Sequence, residues 1–175
     1  MSLLFNIFKE AAKNMVNVEI IKPFVKSIRK SFETFFGHSP QIDDPRLIPA
    51  EQIKCEYDFF SDISAVIALP GSVIGSLAIA FKKDTAIKLS AELMGEDISN
   101  INEDVKDVIG ELANTVAGNI KEDLDSYNFE NALPNIYTGT DKKIELPKEF
   151  KCFSVDFKSD FGPFTMRVSV LDDVN

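Results

Sequence analysis

The fold is decided by the stretch Asn102–Leu124, whose sequence is NEDVKDVIGELANTVAGNIKEDL. Its apolar residues recur at steps of three and four, which is the spacing of one face of an α-helix. We therefore predict an amphipathic helix that packs on a core. The residues of its apolar stripe are Val105, Val108, Ile109, Leu112, Val116, Ile120 and Leu124.

The opposite side of this predicted helix carries polar and small residues. At about 100° per residue, four of them fall on one narrow line, almost diametrically opposite the apolar stripe. They are Asp107, Glu111, Asn114 and Gly118. Because this line lies away from the core, we expect it to face solvent or a partner molecule.

The segment 114–119, with the sequence NTVAGN, is an unfavourable choice for the interior of a helix. Asn and Thr each cost roughly 0.6 kcal/mol relative to Ala, and Gly costs about 1 kcal/mol, so the segment loses about 2–3 kcal/mol of helix preference. Such departures from local rules are most frequent at functional sites. The residues alone leave two interpretations open. One is a site that needs an amide beside bare backbone, and the other is a polar outer face in which a glycine is tolerated.

The composition limits the class of protein. The 175 residues form one domain or two small ones, with a substantial core. A net charge of −9 argues against binding to nucleic acid or to an anionic membrane surface, because both depend on Lys and Arg. Neither Cys55 nor Cys152 has the spacing of a zinc site or a disulfide framework. No apolar run reaches membrane-spanning length and no signal peptide is evident. We therefore expect a cytoplasmic protein.

The first part of the chain is predicted to be helical. Residues 1–13 have apolar residues at helical spacing and are expected to be an N-terminal extension, followed by a single domain over residues 14–175. Pro23–Phe36 is predicted to be a helix that starts with proline in its first turn and is terminated by Gly37. The segment from His38 to Pro45, continuing to Pro49, is rich in turn-forming residues and predicts a loop.

The rest of the chain alternates between strand and helix patterns. Gly75 lies inside a predicted strand and predicts either a β-bulge or a close approach of another backbone. A further helix is predicted from Asp84, as its N-cap, to Met94, with Gly95 after it.

The order of helices and strands along the chain predicts an α+β domain with helices packed on a mainly antiparallel β-sheet. The fifteen phenylalanines predict a dense core between the helices and the sheet. The predicted strands are Gln52–Phe60, Asp62–Leu69, Val73–Phe81, Pro134–Thr140, Phe150–Lys158 and Phe164–Leu171, with turns at Pro70–Ser72 and Asp160–Pro163.

Few catalytic schemes fit these residues. The sequence has no GxSxG, GxxxxGK[ST] or GxGxxG motif, and its single histidine, His38, is predicted to be a surface residue without a partner. What remains is Glu111 and Asn114, one helical turn apart on the exposed line. An amide can orient a water for attack on phosphorus, because phosphoryl transfer depends mainly on positioning and electrostatics. Such a device requires another molecule to supply the phosphoryl group and its metal.

Several segments resemble the CheC/CheX/FliY family of chemotaxis phosphatases, and within it the CheX type. The motif is Glu111-Leu-Ala-Asn114, with Asp107 four residues earlier and Gly118-Asn119 just after it. It occurs once, which favours the one-site CheX type over the two-site CheC type. Other segments with family-like sequences are 18–24, 64–71, 75–77 and 161–165.

The resemblance implies a CheC/CheX-like fold and a specific reaction. The protein would hydrolyse the aspartyl-phosphate of a CheY-like response regulator. Asn114 would position the attacking water, and Glu111 would pair with the regulator's active-site lysine. Mg²⁺ would be bound by the regulator, so this chain would bind no cofactor or metal of its own.

The resemblance also implies residues and surfaces for docking. Asp107, Gly118 and Pro134 would contribute to partner binding, and the sheet edges would form a homodimer, since an exposed edge invites strand pairing. Two positions depart from the family pattern. Lys22 stands where the family usually has asparagine, and nineteen residues separate Asn114 from Pro134 where the family has a little over twenty.

Two alternatives remain beside the phosphatase. The same fold could serve as a non-catalytic adaptor or a flagellar-switch binding module. It could also be a structural subunit whose central helix packs under another chain, with Asn114 buried in that interface. The intact pair of Glu111 and Asn114 favours the phosphatase, because an adaptor has no need of an amide at that position.

Overall fold

The protein is described by a computed structural model over residues 21–48, 61–69, 74–124, 132–139 and 150–171. The predicted helix within residues 1–13, the predicted strand Gln52–Phe60 with Cys55, and the turn Pro70–Ser72 lie outside these ranges. The described elements are α1 (Ile21–Phe36), β1 (Gln41–Ile48), β2 (Ile63–Ala68), β3 (Ile74–Phe81), α2 (Lys83–Met94), α3 (Glu103–Asp123), β4 (Asn135–Thr138), β5 (Phe150–Ser159) and β6 (Gly162–Leu171).

The strands form one sheet in the order β1-β5-β6-β3-β2-β4, and every neighbouring pair is antiparallel. The register between β3 and β6 shifts between Ile74 and Ser76. Gly75 is therefore the extra residue, and the predicted bulge is confirmed. Helices packed on an antiparallel sheet confirm the predicted α+β class. Within the described ranges, no helix is long and apolar enough to cross a bilayer.

The segment predicted to be a loop after α1 contains a strand, so that prediction is wrong. Residues of β1 pair with β5 from Gln41 opposite Lys158 to Ile48 opposite Cys152, and the register shifts between Ile42 and Pro45. Proline removes a backbone donor, so it is tolerated in a sheet at edges and bulges. β1 satisfies both conditions, because β5 is its single neighbour among the described strands and the register shift lies just before Pro45.

The N-terminus of α2 also differs from the prediction. Asp84 lies in the first turn, and the N-cap position is Lys82, whose side chain makes no capping hydrogen bond. The backbone N–H of Lys83 instead donates to Oδ2 of Asp62, at 2.7 Å, from the residue just before β2. The cap is therefore supplied by the sheet layer. The predicted ends of the two helices are confirmed, since Gly37 and Gly95 follow them with φ of 75° and 67°.

The core lies between the sheet and the three described helices and is rich in phenylalanine, as predicted. Phe164 of β6 lies at its centre. Its ring centroid is 4.8 Å from that of Phe32 on α1, 5.2 Å from Phe81 on β3 and 5.0 Å from Phe157 on β5. One side chain thus joins a helix to three strands.

Candidate functional site

The helix α3 begins where the sequence predicts. The Oδ1 atom of Asn102 accepts the backbone N–H of Val105 at 3.0 Å, which satisfies one of the unpaired donors of the first turn. The apolar stripe is buried except for Val108, which is half-buried. The central prediction of an amphipathic helix on a core is therefore confirmed, and the opposite face is left for other uses.

One flank of α3 is held by α1. The Ser27 hydroxyl donates to the Val116 carbonyl oxygen at 2.7 Å, and the Asn119 amide donates to the Ser31 hydroxyl at 3.1 Å. Both serines are buried, so these bonds are shielded from competing water. These two hydrogen bonds fix the rotation of α3 about its axis and so determine which of its residues are exposed.

The other flank of α3 lies against the start of β4. A Cβ atom placed on Gly110 would lie 3.6 Å from Cδ1 of Ile136 and 4.0 Å from Cγ of Pro134. Ile136 is paired opposite Ala65 of β2, which fixes it to the sheet. Pro134 is thus positioned one residue before β4 and beside the turn of α3 that precedes Asn114.

The predicted polar line of α3 is present, but its residues differ in exposure. Asp107 and Glu111 are exposed, whereas Asn114 and Gly118 are half-buried. Asn114 lies one turn after Gly110, where Pro134 and Ile136 fill the space of the missing side chain. It lies one turn before Gly118, where an added Cβ would meet nothing within 4 Å. The amide is therefore in a recess that is closed on one side and open on the Gly118 side.

The side chains of Glu111 and Asn114 are available for an external partner. Cβ atoms three residues apart on a helix are about 5–6 Å from each other, so one small group can be reached by both. Neither side chain has a hydrogen-bond or ion-pair partner within the part of the chain that the structure describes. A carboxylate and an amide so placed can hold a cation and orient a water, respectively.

The electrostatics of this face are acidic. Around Glu111, the exposed row of α3 carries Asp104 and Asp107, whereas Glu122, further along the row, is paired with Lys30 of α1. Of the lysines on α3, Lys106 is bound to Glu103 and Lys121 lies to one side of the row. A positively charged group on a partner would therefore be attracted to Glu111. Among the described residues, no group of three or more His, Cys, Asp or Glu is arranged to hold a metal ion.

Two features of this region were not predicted. The role of Gly110 as a contact for Pro134 was missed, although a glycine four residues before Asn114 was a visible signal. Leu133, just before Pro134, is 81% exposed, and no pattern in the sequence distinguishes it. His38, predicted to lack a partner, lies 3.5 Å from Asp160 at the β5–β6 turn and so belongs to another part of the fold.

Comparison with known proteins identifies the family. The model of the family "Chemotaxis phosphatase CheX" matches residues 63–158. The CheY-P phosphatase CheX of Thermotoga maritima is 24% identical over 133 residues, which cover 74% of this chain and 82% of the relative. A CheC-like superfamily protein from Shewanella sp. PV-4 is 26% identical, with a TM-score of 0.74, over 89% of this chain and 99% of that one.

A third similarity extends the comparison of folds. CheX in the CheX–CheY–BeF3–Mg²⁺ complex of Borrelia burgdorferi matches with a TM-score of 0.68 and 20% identity, over 87% of this chain and 98% of that one. At this identity the likeness concerns the fold alone. The family model, in contrast, spans more than half of the sequence and includes the whole of α3. The chain therefore belongs to the chemotaxis phosphatase CheX family.

Proposed function

We propose that this protein hydrolyses the aspartyl-phosphate of a CheY-like response regulator, with α3 as the element that enters the regulator's active site. The observation that carries the proposal is the pair of Glu111 and Asn114, which has no partner among the described residues and lies on the exposed side of α3. The Thermotoga maritima relative is a CheY-P phosphatase, which supports the same substrate class here.

Asn114 positions the attacking water in this proposal. The water attacks phosphorus, the bond between phosphorus and the aspartyl oxygen breaks, and the regulator regains its carboxylate while inorganic phosphate leaves. The amide offers one acceptor and two donors, enough to hold a water in line with the breaking bond. Because phosphoryl transfer is governed mainly by positioning, a residue that performs no covalent chemistry suffices.

Glu111 pairs with the regulator's active-site lysine. Its exposed carboxylate lies in an acidic row, which favours the approach of an ammonium group. Such a pair fixes the orientation of α3 relative to the phosphoryl group. Mg²⁺ comes with the regulator, as the Borrelia burgdorferi CheX–CheY–BeF3–Mg²⁺ complex suggests.

The surrounding residues complete the docking surface. Gly118 leaves open space beside Asn114, which suits close approach of the regulator better than packing within this chain. Asp107 is exposed one turn before Glu111, and Pro134 borders the recess through its contact with Gly110. Homodimerisation through a sheet edge stays a prediction, for which β1 and β4 are the edges of the described sheet.

The decisive experiment measures the lifetime of phosphorylated CheY-type regulators from the organism that makes this protein. The wild type is expected to accelerate phosphate release, and Asn114→Ala to reduce that acceleration on the order of 100-fold. Glu111→Ala is expected to reduce it mainly by weakening binding. Asn119→Ala is a matched control for the fold, because it removes an asparagine and one of the two hydrogen bonds to α1 from the same helix, while the bond between Ser27 and Val116 remains.

The outcomes separate the candidate functions. Loss of acceleration in Asn114→Ala, with Asn119→Ala still active, would support insertion of α3 as the catalytic event. Binding of a phosphorylated regulator without any change in its lifetime would contradict the phosphatase and favour the non-catalytic adaptor. Equal activity of Asn114→Ala and the wild type would remove Asn114 from the mechanism.

A further inference from the structure

We infer that Leu133 is an apolar contact for the response regulator, beside the polar pair of α3. This inference rests on the proposed function and adds a residue to its docking surface. Leu133 is 81% exposed, whereas the other exposed large hydrophobic residues of the described chain, Met94 and Tyr137, are 39% and 37% exposed. Single exposed leucines are common on protein surfaces, so the position of Leu133 must carry the inference.

The backbone around Leu133 is fixed from both sides. Ala132 is partly buried and packs against the hydrophobic core. Pro134 has a restricted φ angle and contacts the position of Gly110, and Ile136 is paired with β2. A leucine held in solvent between anchored neighbours loses little further backbone entropy when a partner covers it, which is the condition for a preorganised contact.

Leu133 also lies close to the proposed catalytic residue. Pro134 is 4.0 Å from the Cβ position of Gly110, and Gly110 and Asn114 are one turn apart. With about 3.8 Å between adjacent Cα atoms, about 5–6 Å between Cβ atoms one turn apart and about 2.4 Å from Cγ to Cα of proline, the Cα atom of Leu133 is no more than roughly 16 Å from the Cβ atom of Asn114. A standard interface buries about 800 Å² per partner, a patch of roughly 16 Å radius. A regulator centred on Asn114 would therefore extend as far as Leu133, at the edge of the contact.

Leu133 differs in chemistry from the acidic residues of α3 beside it, and this difference indicates what it would bind. The exposed row of α3 is acidic, so it selects a partner by charge, whereas Leu133 offers apolar area. The inference therefore requires an apolar patch on the regulator, at the rim of its phosphorylation site. Burial of one leucine on binding strengthens the complex equally in the ground state and the transition state. It therefore changes affinity rather than the chemical step.

The test compares Leu133→Asp and Leu133→Ala with the wild type in two assays. One is accelerated dephosphorylation of the CheY-type regulator, and the other is direct binding to the same regulator loaded with BeF3 and Mg²⁺. For Leu133→Asp, the half-saturating concentration is expected to rise about tenfold, with the maximal rate unchanged. Leu133→Ala is expected to show a smaller rise in the same direction. Because the side chain is exposed, both variants should unfold at the wild-type temperature.

Tyr137→Ala is the matched control. Tyr137 follows Ile136 in β4, and alternate residues of a strand point to opposite faces, so it lies on the sheet face away from α3. The Tyr137→Ala substitution is therefore expected to leave the half-saturating concentration of the regulator unchanged. An equal effect of Tyr137→Ala and Leu133→Asp would contradict a specific contact.

The two assays separate failure of the inference from failure of the proposed function. If the wild type accelerates dephosphorylation and Leu133→Asp matches it within twofold in both assays, the inference is wrong and the phosphatase stands. If the wild type binds without acceleration and Leu133→Asp binds more weakly, the contact survives without the catalysis. If the wild type neither binds nor accelerates, both are overturned.

Discussion

Gly118 lies in the interior of α3, one turn beyond Asn114, where glycine costs about 1 kcal/mol relative to alanine. An added methyl group would meet nothing within 4 Å, so no contact within the described chain explains the glycine. The proposed function does explain it, because a regulator that receives Asn114 must approach the backbone of α3 on this side. The stability of the helix thus favours alanine at position 118, whereas docking of the regulator favours glycine.

We predict that Gly118→Ala raises the free energy of unfolding by about 0.5–1 kcal/mol and lowers the acceleration of regulator dephosphorylation. Urea unfolding and the phosphatase assay measure the two effects. Gly110→Ala is the control, because its methyl group would be in ordinary contact with Ile136 and would face the chain itself. A Gly118→Ala protein that is more stable and fully active would contradict the close approach.

For single residues, the sequence was enough to predict which of them share the exposed line of α3, because helical spacing alone determines that line. It did not predict that Asn114 is half-buried while Glu111 is exposed. That difference arises because the segment before β4 covers the Gly110 side of the helix, and a helical projection contains no information about neighbouring elements. The exposure of Leu133 was unpredictable for the same reason.

Among the elements, α2 shows how a helix can depend on a residue outside it. The carboxylate of Asp62 caps its first turn from the sheet layer, and the backbone of Asp62 also bonds to Phe81 and Gly139. One residue therefore joins β3, the end of β4 and the start of α2. Its side chain affects the helix, whereas its backbone belongs to the sheet.

We predict that Asp62→Ala lowers the free energy of unfolding by about 1 kcal/mol, because an N–H of the helix loses its cap. Asp62→Asn, which keeps an acceptor oxygen, should lose less. Asp84→Ala is expected to cost at most about 0.5 kcal/mol, since an exposed acid in the first turn gains only a weak interaction with the helix dipole. Thermal and urea unfolding of the three variants provide the check, and a larger effect at Asp84 would reinstate it as the cap.

The prediction at the element scale failed where pairing overrides local preference. The residues around Pro45 favour a turn, yet they form β1 because β5 offers a partner more than a hundred residues later. Strand propensity depends on such neighbours more than helix propensity does. The helices were predicted well, since their spacing and terminal glycines are local signals.

At the scale of the whole molecule, Phe164 links the layers through three stacked phenylalanines and is 3% exposed. We predict that Phe164→Ala lowers the free energy of unfolding by about 3–5 kcal/mol, a large part of the 5–15 kcal/mol typical of a domain. Phe161→Ala is the control. Phe161 is half-buried in the β5–β6 turn, so its loss should cost less than about 2 kcal/mol.

Urea unfolding followed by circular dichroism measures both phenylalanine variants. An equal loss of unfolding free energy at the two positions would mean that the stacked cluster adds nothing beyond ordinary burial.

The α+β class and the phenylalanine-rich core were predictable from the sequence, because both follow from composition and from the change in the spacing of apolar residues along the chain. The strand order was not, since β5 and β6 are inserted between β1 and β3, and no local pattern specifies such an insertion.

That insertion has a consequence for how the protein is made. β5 and β6 occupy the middle of the sheet but follow every other described element along the chain. During synthesis, β1 and β3 therefore emerge from the ribosome long before the strands that will separate and join them. Pairings at such long range are slow to form and leave strand edges open to other chains in the meantime. The sheet is completed only when the hairpin of residues 150–171 has been translated, so β1 and β3 stay unjoined on a nascent chain that lacks it.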